Sequence, residues 1–274
     1  MNLKKPLHAI VPENMVNQIL RGYEVIGDVA ILSIDPRYSH LELKIAASIL
    51  NAYPALRLVA KRLSDHSGEF RISSLQKIDG CGEFDTVHKE FGLKLHVDPG
   101  AVYFSPRSGG ERFRVAQLVK AGERVLVMFS GIGPFALMIG VHSEAAEIVG
   151  VEKNPCAHRL ALKNVEENKK AKNVAFYCGD VLNILPGLNK IFDRIVMPLP
   201  LSGADYLRFA LRYLASGGVL HFYDFRYRDD FDSAVEPIRS ACRVEGRGVA
   251  DSEIHQCGHV SSRRYRVCVD AIIS

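Results

Sequence analysis

Apolar segments alternate with amphipathic segments through the second half of the chain. Five short runs rich in β-branched and apolar residues predict strands, at residues 124–129, 147–152, 174–178, 192–197 and 218–223. Helical patterns fill the intervals, at residues 134–140, 155–168, 204–214 and 232–242. Strands that alternate with helices form parallel sheets covered on both faces. Residues 99–274 are therefore predicted to form one doubly wound α/β domain, and the β-rich run 265–273 closes its sheet.

The first part of the chain shows shorter and less regular patterns. Residues 23–34 and 56–61 have the composition of strands, and residues 41–50 place apolar side chains at helical spacing. Residues 86–89 and 93–97 alternate on either side of Phe91-Gly92, which predicts a β-hairpin. Residues 1–98 are therefore predicted to form a small α+β domain ahead of the α/β domain.

Composition and charge narrow the class of protein. The chain has 274 residues, a net charge of +4 and a pI of about 8.7, which is compatible with a polyanionic partner. Basic residues are concentrated between positions 60 and 115: Arg62, Arg71, Lys77, Lys89, Lys94, Arg107, Arg112 and Arg114. The chain has no apolar run of about 18 residues and no apolar segment after its basic N-terminus. We therefore expect a cytoplasmic protein without a membrane partner.

The cysteine and histidine residues of the chain include candidate metal ligands. The six cysteines show no CxxC spacing, and without a secretory signal they are predicted to be reduced thiols. His255, Cys257 and His259 alternate, so on a strand they would share one face and could hold a metal ion. A fourth ligand is not evident, and alternating polar residues are common on exposed strands. We therefore expect no metal.

A glycine turn follows the first predicted strand of the α/β domain. Gly131 and Gly133 let the backbone approach a ligand at the N-terminus of the next helix. Glu152 ends the second strand, where an acid can accept hydrogen bonds from both ribose hydroxyls. Asp180 follows the third strand, where it could meet an adenine amino group or could only cap the next helix. Position 136 is Ala, so the third glycine of a dinucleotide fingerprint is absent, and the pattern favours S-adenosylmethionine over NAD.

Longer motifs resemble the archaeal and eukaryotic type of tRNA (guanine-37-N1)-methyltransferase, a family that includes the Met-10-like proteins. The matching stretches occur in the family's order: GEFR (68–71), VYFSPR (102–107), GGER (109–112), MFSGIGPF (128–135), NP (154–155), MPLP (197–200) and GGVLHFY (217–223). The block YFSPR followed by GGER, combined with MFSGIGPF, is highly specific to this family.

The resemblance implies a class I methyltransferase Rossmann-like fold, S-adenosylmethionine as cofactor and tRNA as partner. The sequence leaves the oligomeric state open, with a monomer favoured. The resemblance also implies that the first domain helps to position the tRNA, and that the chain lacks a further N-terminal domain which members usually carry. Glu111 would be the general base, and Arg71 would stabilise charge on guanine O6. The residues implied in cofactor binding are Tyr103, Phe129, Ser130, Gly131, Gly133, Phe135, Glu152, Asp180 and Pro200, and those implied in substrate binding are Arg71, Arg107 and Arg112.

Two positions depart from the family's pattern and keep other functions open. Pro198 stands where members carry Asn, and it offers no polar side chain and no N–H. Val127 stands where members usually carry Asp. The alternatives are a related wybutosine-pathway enzyme, which transfers an aminocarboxypropyl group to a tRNA base, and a catalytically weakened tRNA-binding protein. The retained Glu111 and Arg71 favour the methyltransferase.

Overall fold

A computed structural model describes residues 1–64, 67–199, 201–259, 261 and 263–274. The chain divides into two compact units, Met1–Pro106 and Arg107–Ser274. The sequence predicted a boundary after residue 98. The first unit instead extends to Pro106, so residues 99–106, which follow its hairpin, belong to it.

The first unit combines a four-stranded sheet with a separate hairpin. Its regular elements are α1 (Glu13–Ile19), β1 (Leu20–Ile26), β2 (Val29–Ile34), α2 (Glu42–Ala52), β3 (Leu58–Arg62), β4 (Leu75–Gly80), β5 (Thr86–Glu90) and β6 (Leu93–Val97). The sheet has the order β1-β2-β3-β4, in which β2 and β3 are parallel and the other pairs antiparallel. Apolar side chains of α2, including Ile45 and Ile49, are fully buried in the core of this unit.

Two turns in the first unit depend on left-handed backbone. The run 23–34 was predicted as one strand, but it is a hairpin of β1 and β2 that turns at Gly27, with φ +56°. A Cβ at Gly27 would lie 2.1 Å from the hydroxyl oxygen of Thr86, so this position requires glycine. The predicted pairing of β5 and β6 is confirmed, and Phe91 and Gly92 both have positive φ in its turn, at 45° and 81°.

The second unit is a seven-stranded α/β sheet. Its regular elements are α3 (Gly109–Leu118), β7 (Arg124–Met128), α4 (Pro134–His142), β8 (Glu147–Glu152), α5 (Pro155–Glu167), β9 (Val174–Cys178), α6 (Val181–Leu188), β10 (Phe192–Met197), α7 (Leu207–Arg212), β11 (Leu214–Tyr227), α8 (Glu236–Val244), β12 (Val249–His259) and β13 (Arg264–Ile273). The strand order is β12-β13-β11-β10-β7-β8-β9, and the five strands from β11 to β9 are parallel. Strand β13 runs antiparallel to β11. The predicted doubly wound sheet is confirmed, and its order reverses between β7 and β10, where such sheets bind ligands.

Polar residues from three adjacent strands enter the apolar core of this sheet. They are Arg194 of β10 and His221 of β11, which are buried, and Asp270 of β13, which is 13% exposed. The Arg194 guanidinium donates to both carboxylate oxygens of Glu123, at 2.7 and 2.9 Å, and lies 2.7 Å from His221 Nε2. His221 Nδ1 lies 2.6 Å from Asp270. Since a buried charge is costly unless paired, these contacts are a condition for placing charge in the core.

Arg194→Met is expected to lower the free energy of unfolding of the second unit by about 3–5 kcal/mol. The substitution keeps an unbranched side chain but removes the guanidinium, which leaves the fully buried His221 and the largely buried Glu123 without this partner. Urea unfolding followed by circular dichroism measures the difference.

Arg124→Met is the control for this prediction. Arg124 Nε lies 3.9 Å from Asp193, and the two side chains are 45% and 41% exposed. Exposed pairs of this kind stabilise proteins by about 0–1 kcal/mol. An Arg194 variant as stable as the Arg124 variant would show that the buried contacts contribute nothing.

Candidate active site

The turn between β7 and α4 lies at the carboxyl edge of the sheet. Phe129, Gly131 and Gly133 all have positive φ, at 56°, 56° and 85°, and the Gly133 N–H donates to the Ser130 carbonyl at 2.9 Å. A Cβ at Gly133 would lie 2.5 Å from the Phe176 ring. The glycine at this position therefore allows both the turn and its close packing on β9.

Glu152, at the end of β8, fixes this turn. One carboxylate oxygen accepts the Gly131 N–H at 2.7 Å, and the other accepts the Asn154 N–H at 2.7 Å. Burial raises the pKa of Glu152, and the hydrogen bonds from Asn154 and Gly131 act in the opposite direction. A carboxylate has about four acceptor positions. The Lys153 backbone also donates to Glu152, so about one acceptor position remains for a hydroxyl donor of a ligand.

Asp180 lies beside Glu152 at the end of the next strand. The N–H of Gly179 donates to the Glu152 carbonyl at 2.8 Å, which joins the two strand ends. The Asp180 carboxylate caps α6 by accepting the Leu182 N–H at 3.0 Å and pairs with Lys153 Nζ at 3.0 Å. Burial acts to raise the pKa of Asp180, but these two partners lower it below its ordinary value. The alternative that Asp180 caps a helix therefore describes one of its contacts.

Open space and an unsatisfied polar atom accompany these acids. Among the residues that the structure describes, the buried Ser130 Oγ has no hydrogen-bond partner, and a Cβ at Gly131 would meet no atom within 4 Å. The ring of Phe135 packs edge-on against Tyr223, with centroids 5.8 Å apart. Phe129 packs in the same way against Tyr206, at 4.9 Å. A nucleoside requires carboxylates that can accept from its hydroxyl groups, an open glycine turn and apolar rings, and all three occur here.

The structure therefore brings together seven of the residues that the resemblance implied in cofactor binding. They lie in one turn and at two strand ends: Phe129, Ser130, Gly131, Gly133, Phe135, Glu152 and Asp180. Pro200 lies outside the described residues.

Glu111 lies in the first turn of α3 and is buried. Its two carboxylate oxygens accept from Nε and Nη2 of Arg114, both at 2.8 Å. The Tyr223 hydroxyl donates to Oε1 of the same carboxylate at 2.8 Å. Two of the three hydrogen bonds fall on Oε1 and one on Oε2, so Oε2 keeps an acceptor position.

The other predicted site residues differ in exposure. Arg71 and Tyr103 lie in the first unit, and the Arg71 guanidinium stacks on the Tyr103 ring, 5.0 Å from its centroid. Arg71 has φ +52°, an uncommon conformation for a residue other than glycine. Arg107 is exposed in the turn before α3. Arg112 is 3% exposed, and this burial does not favour its predicted role in substrate binding.

Sequence reasoning missed the residues that surround Glu111. Arg114 was noted only as part of a basic cluster, and neither His221 nor Asp270 was considered as part of the site. A signal was present, since His221 and Asp270 interrupt runs that otherwise have the composition of buried strands. A charged residue inside such a run requires a buried partner.

The histidines and the cysteine of β12 do not form a ligand set. His255 lies 3.4 Å from Asp270, Cys257 accepts from Arg266, and His259 stacks on Tyr265. Within the described ranges, His221, Cys268 and Asp270 do place ligand-type atoms within 4.8 Å of one another. Arg194 contacts His221 and Arg114 contacts Asp270, so two members of this cluster are already paired with guanidinium groups.

The strand order with antiparallel β13, the glycine turn after β7 and the acid at the end of β8 define a class I S-adenosylmethionine-dependent methyltransferase. Comparison with known families places the chain more narrowly. Residues 86–249 match the family described as the TRM5/TYW2 methyltransferase domain, and the chain belongs to this family. Residues 3–83 match the TYW2 N-terminal domain, so the expectation that an N-terminal domain of the family is lacking requires correction.

Individual relatives agree with this assignment. The chain is 32% identical to the tRNA (guanine(37)-N(1))-methyltransferase Trm5b of Methanocaldococcus jannaschii, over 89% of this chain and 71% of the relative. It is 30% identical to the tRNA 4-demethylwyosine(37)-methyltransferase Taw21 of Saccharolobus solfataricus, over 92% and 94%. Among solved structures, a complex of aTrm5 with tRNALeu matches with a TM-score of 0.85 and 28% identity, over 100% of this chain and 78% of the other. None of the described helices has the length and apolar character needed to cross a membrane.

Glu152→Ala is expected to weaken S-adenosylmethionine binding by about 1–3 kcal/mol, because the turn and the ligand hydroxyls lose their acceptor. Isothermal titration calorimetry measures the change in affinity.

Glu147→Ala provides the comparison for that variant. Glu147 begins the same strand that Glu152 ends, and it pairs with Lys190. Its affinity for S-adenosylmethionine should equal that of the unmodified protein. Equal affinities for both variants would remove Glu152 from the cofactor site.

Proposed function

We propose that the protein is a tRNA methyltransferase that transfers a methyl group from S-adenosylmethionine to N1 of guanosine 37. Membership of the TRM5/TYW2 family and the similarity to Trm5b support this assignment. The observation that carries it is the buried Glu111 carboxylate, which Arg114 and Tyr223 hold in one orientation with an acceptor position left on Oε2.

The reaction requires such an acceptor. Guanine N1 carries a proton at neutral pH, and N1 can form a bond to carbon only as this proton leaves. Glu111 would accept the proton at Oε2, which leaves the electron pair of the N1–H bond on N1 for bonding to the incoming methyl carbon. S-adenosylmethionine supplies the methyl group as an electrophile when it is bound. The ring packing of Phe135 on Tyr223 keeps apolar surface near the base and restricts water there.

Arg71 balances the charge that develops on the base. As N1 loses its proton, negative charge spreads to guanine O6. A guanidinium can stabilise this charge by donating hydrogen bonds to O6. The stacking of Arg71 on Tyr103 fixes the plane of the guanidinium. In this proposal Tyr103 also contacts the cofactor or the target base by stacking. Arg107, which is exposed, contacts the tRNA backbone. We further propose that the protein acts in the cytoplasm and as a monomer.

One observation favours a second function. Residues 3–83 match the N-terminal domain of TYW2. The corresponding hypothesis is transfer of the aminocarboxypropyl group of S-adenosylmethionine to a tRNA base. Pro198, which follows β10 at the carboxyl edge, removes the polar side chain that the methyltransferases carry there and is compatible with this alternative.

The product distinguishes the two activities. Unmodified tRNA incubated with the protein and S-adenosylmethionine is expected to yield 1-methylguanosine, identified by mass spectrometry of the nucleosides. An aminocarboxypropyl nucleoside would establish the second function instead. Binding of tRNA without any product would indicate a catalytically weakened binding protein.

Glu111→Gln is expected to lower kcat for methyl transfer by about 10²-fold or more, because the amide cannot accept the N1 proton. The KM for S-adenosylmethionine should stay unchanged, since Glu111 is not part of the turn after β7. Transfer of radiolabelled methyl groups to tRNA measures both constants.

Glu236→Gln is a matched control. Glu236 also lies in the first turn of a helix and pairs with an arginine three residues later, Arg239, at 2.7 Å, but both side chains are half exposed. Its kcat should equal that of the unmodified protein. If Glu111→Gln behaves in the same way, Glu111 is not the base.

A further inference from the structure

Arg114 is shared between two acids. Its Nε and Nη2 donate to Glu111 at 2.8 Å, and its Nη1 and Nη2 contact Asp270 at 2.6 and 3.3 Å. The guanidinium fork is planar and rigid, so its orientation toward one carboxylate fixes its orientation toward the other. Burial acts to lower the pKa of Arg114, but the hydrogen bonds with both acids raise it above its ordinary value, and the side chain stays charged.

Asp270 is held in turn by the core of the sheet. A guanidinium can only donate hydrogen bonds, so the contact with Arg194 makes His221 Nε2 an acceptor. The proton of His221 therefore lies on Nδ1 and is donated to Asp270 at 2.6 Å. Burial lowers the pKa of His221 despite the opposing effect of Asp270, in agreement with a neutral ring. Asp270 is thus held by the neutral ring of His221 and by Arg114; it also accepts from the Cys268 thiol at 3.2 Å and lies 3.4 Å from His255 Nε2.

The surroundings of Glu111 have one dominant charged contact. Arg114 of α3 contacts it directly, Tyr223 of β11 donates a neutral hydrogen bond, and Asp270 of β13 lies behind Arg114. The thiols of Cys257 on β12 and Cys268 on β13 have pKa values raised by burial and stay protonated. Asp270 is therefore the negative charge that offsets Arg114 on its far side.

We propose that Asp270 is a positioning residue for the reaction, which acts by fixing Arg114 and sharing its charge so that Glu111 keeps its orientation and its capacity to accept a proton. The proposal rests on the function assigned above to Glu111. A base that alone faced the whole charge of Arg114 would be held more tightly as the carboxylate and would accept a proton less readily. His221 supports the same arrangement from the sheet.

A double-mutant cycle between Asp270 and Glu111 tests the proposal. Asp270→Asn alone is expected to lower kcat by about tenfold, with the KM values for tRNA and S-adenosylmethionine changed less than about twofold. In the Glu111→Gln background, Asp270→Asn should cause no further loss, because a residue that acts through Glu111 has nothing left to position. Single-turnover transfer of radiolabelled methyl groups resolves the slow rates.

Two further variants separate positioning from structure. Asp270→Glu retains the charge and should recover part of the lost kcat. Glu245→Gln removes an acid that also joins two arginines, Arg208 and Arg212, and that is 14% exposed, compared with 13% for Asp270. This control variant should keep the kcat of the unmodified protein. If Asp270→Asn does not fold, His221→Gln takes its place, with a smaller loss expected in the unmodified background and none in Glu111→Gln.

The outcomes distinguish a failure of the proposed function from a failure of the role proposed for Asp270. If the unmodified protein forms no methylated guanosine, or if Glu111→Gln keeps full activity, the proposed function or its base is wrong and the role of Asp270 falls with it. If Glu111→Gln is impaired and Asp270→Asn costs the same factor in both backgrounds, the role of Asp270 alone is overturned and its contribution is structural. The proposal is supported if Asp270→Asn lowers activity in the unmodified background and causes no further loss in the Glu111→Gln background.

Discussion

The requirement that every buried charge has a partner organises the second unit. A continuous series of contacts runs from α3 to the loop before β7, and in it each acceptor group is followed by a donor group. Its members are, in order, Glu111, Arg114, Asp270, His221, Arg194 and Glu123. Removal of Arg194 would leave the fully buried His221 and the largely buried Glu123 without this partner. The chain of contacts therefore ties α3 to three adjacent strands. Tyr223 adds a neutral donor to Glu111, so the orientation of this carboxylate depends both on Arg114, three residues away, and on a residue far from it in sequence.

The cofactor edge follows a different constraint, in which backbone geometry comes first. The turn after β7 needs positive φ at three positions, and Glu152 accepts one of the backbone N–H groups that this geometry exposes. The Ser130 hydroxyl and the space beside Gly131 remain for a ligand. Because the turn is fixed by local bonds, its shape does not depend on the charged contacts in the core. Substitutions at Glu152 and at Asp270 are therefore expected to act on different constants, affinity in one case and turnover in the other.

This division explains what could be predicted from the sequence. Strand ends, the glycine turn and Glu152 follow local patterns, and the bounds of β8 and β9 agree with the prediction. The run 23–34 was predicted as one strand because its composition is uniform, and only Gly27 indicates a turn. Contacts such as Arg114 with Asp270, 156 residues apart, leave no local pattern beyond a charge in an apolar run. Their partners depend on strand order, which periodicity does not determine.

The segment after β10 shows how the site can tolerate the loss of a polar side chain. Val127, the other departure, is fully buried in β7 between β8 and β10, where an acid would need a buried partner of its own. Pro198 keeps only a carbonyl for hydrogen bonding. The neighbouring carbonyls of Met197 and Leu199 accept from the N–H groups of Leu199 and Gly203. Within this described segment the Pro198 carbonyl therefore remains as an acceptor. Guanine presents N–H donors on the edge that carries N1, so under the proposed function an acceptor alone can still contribute to orienting the base.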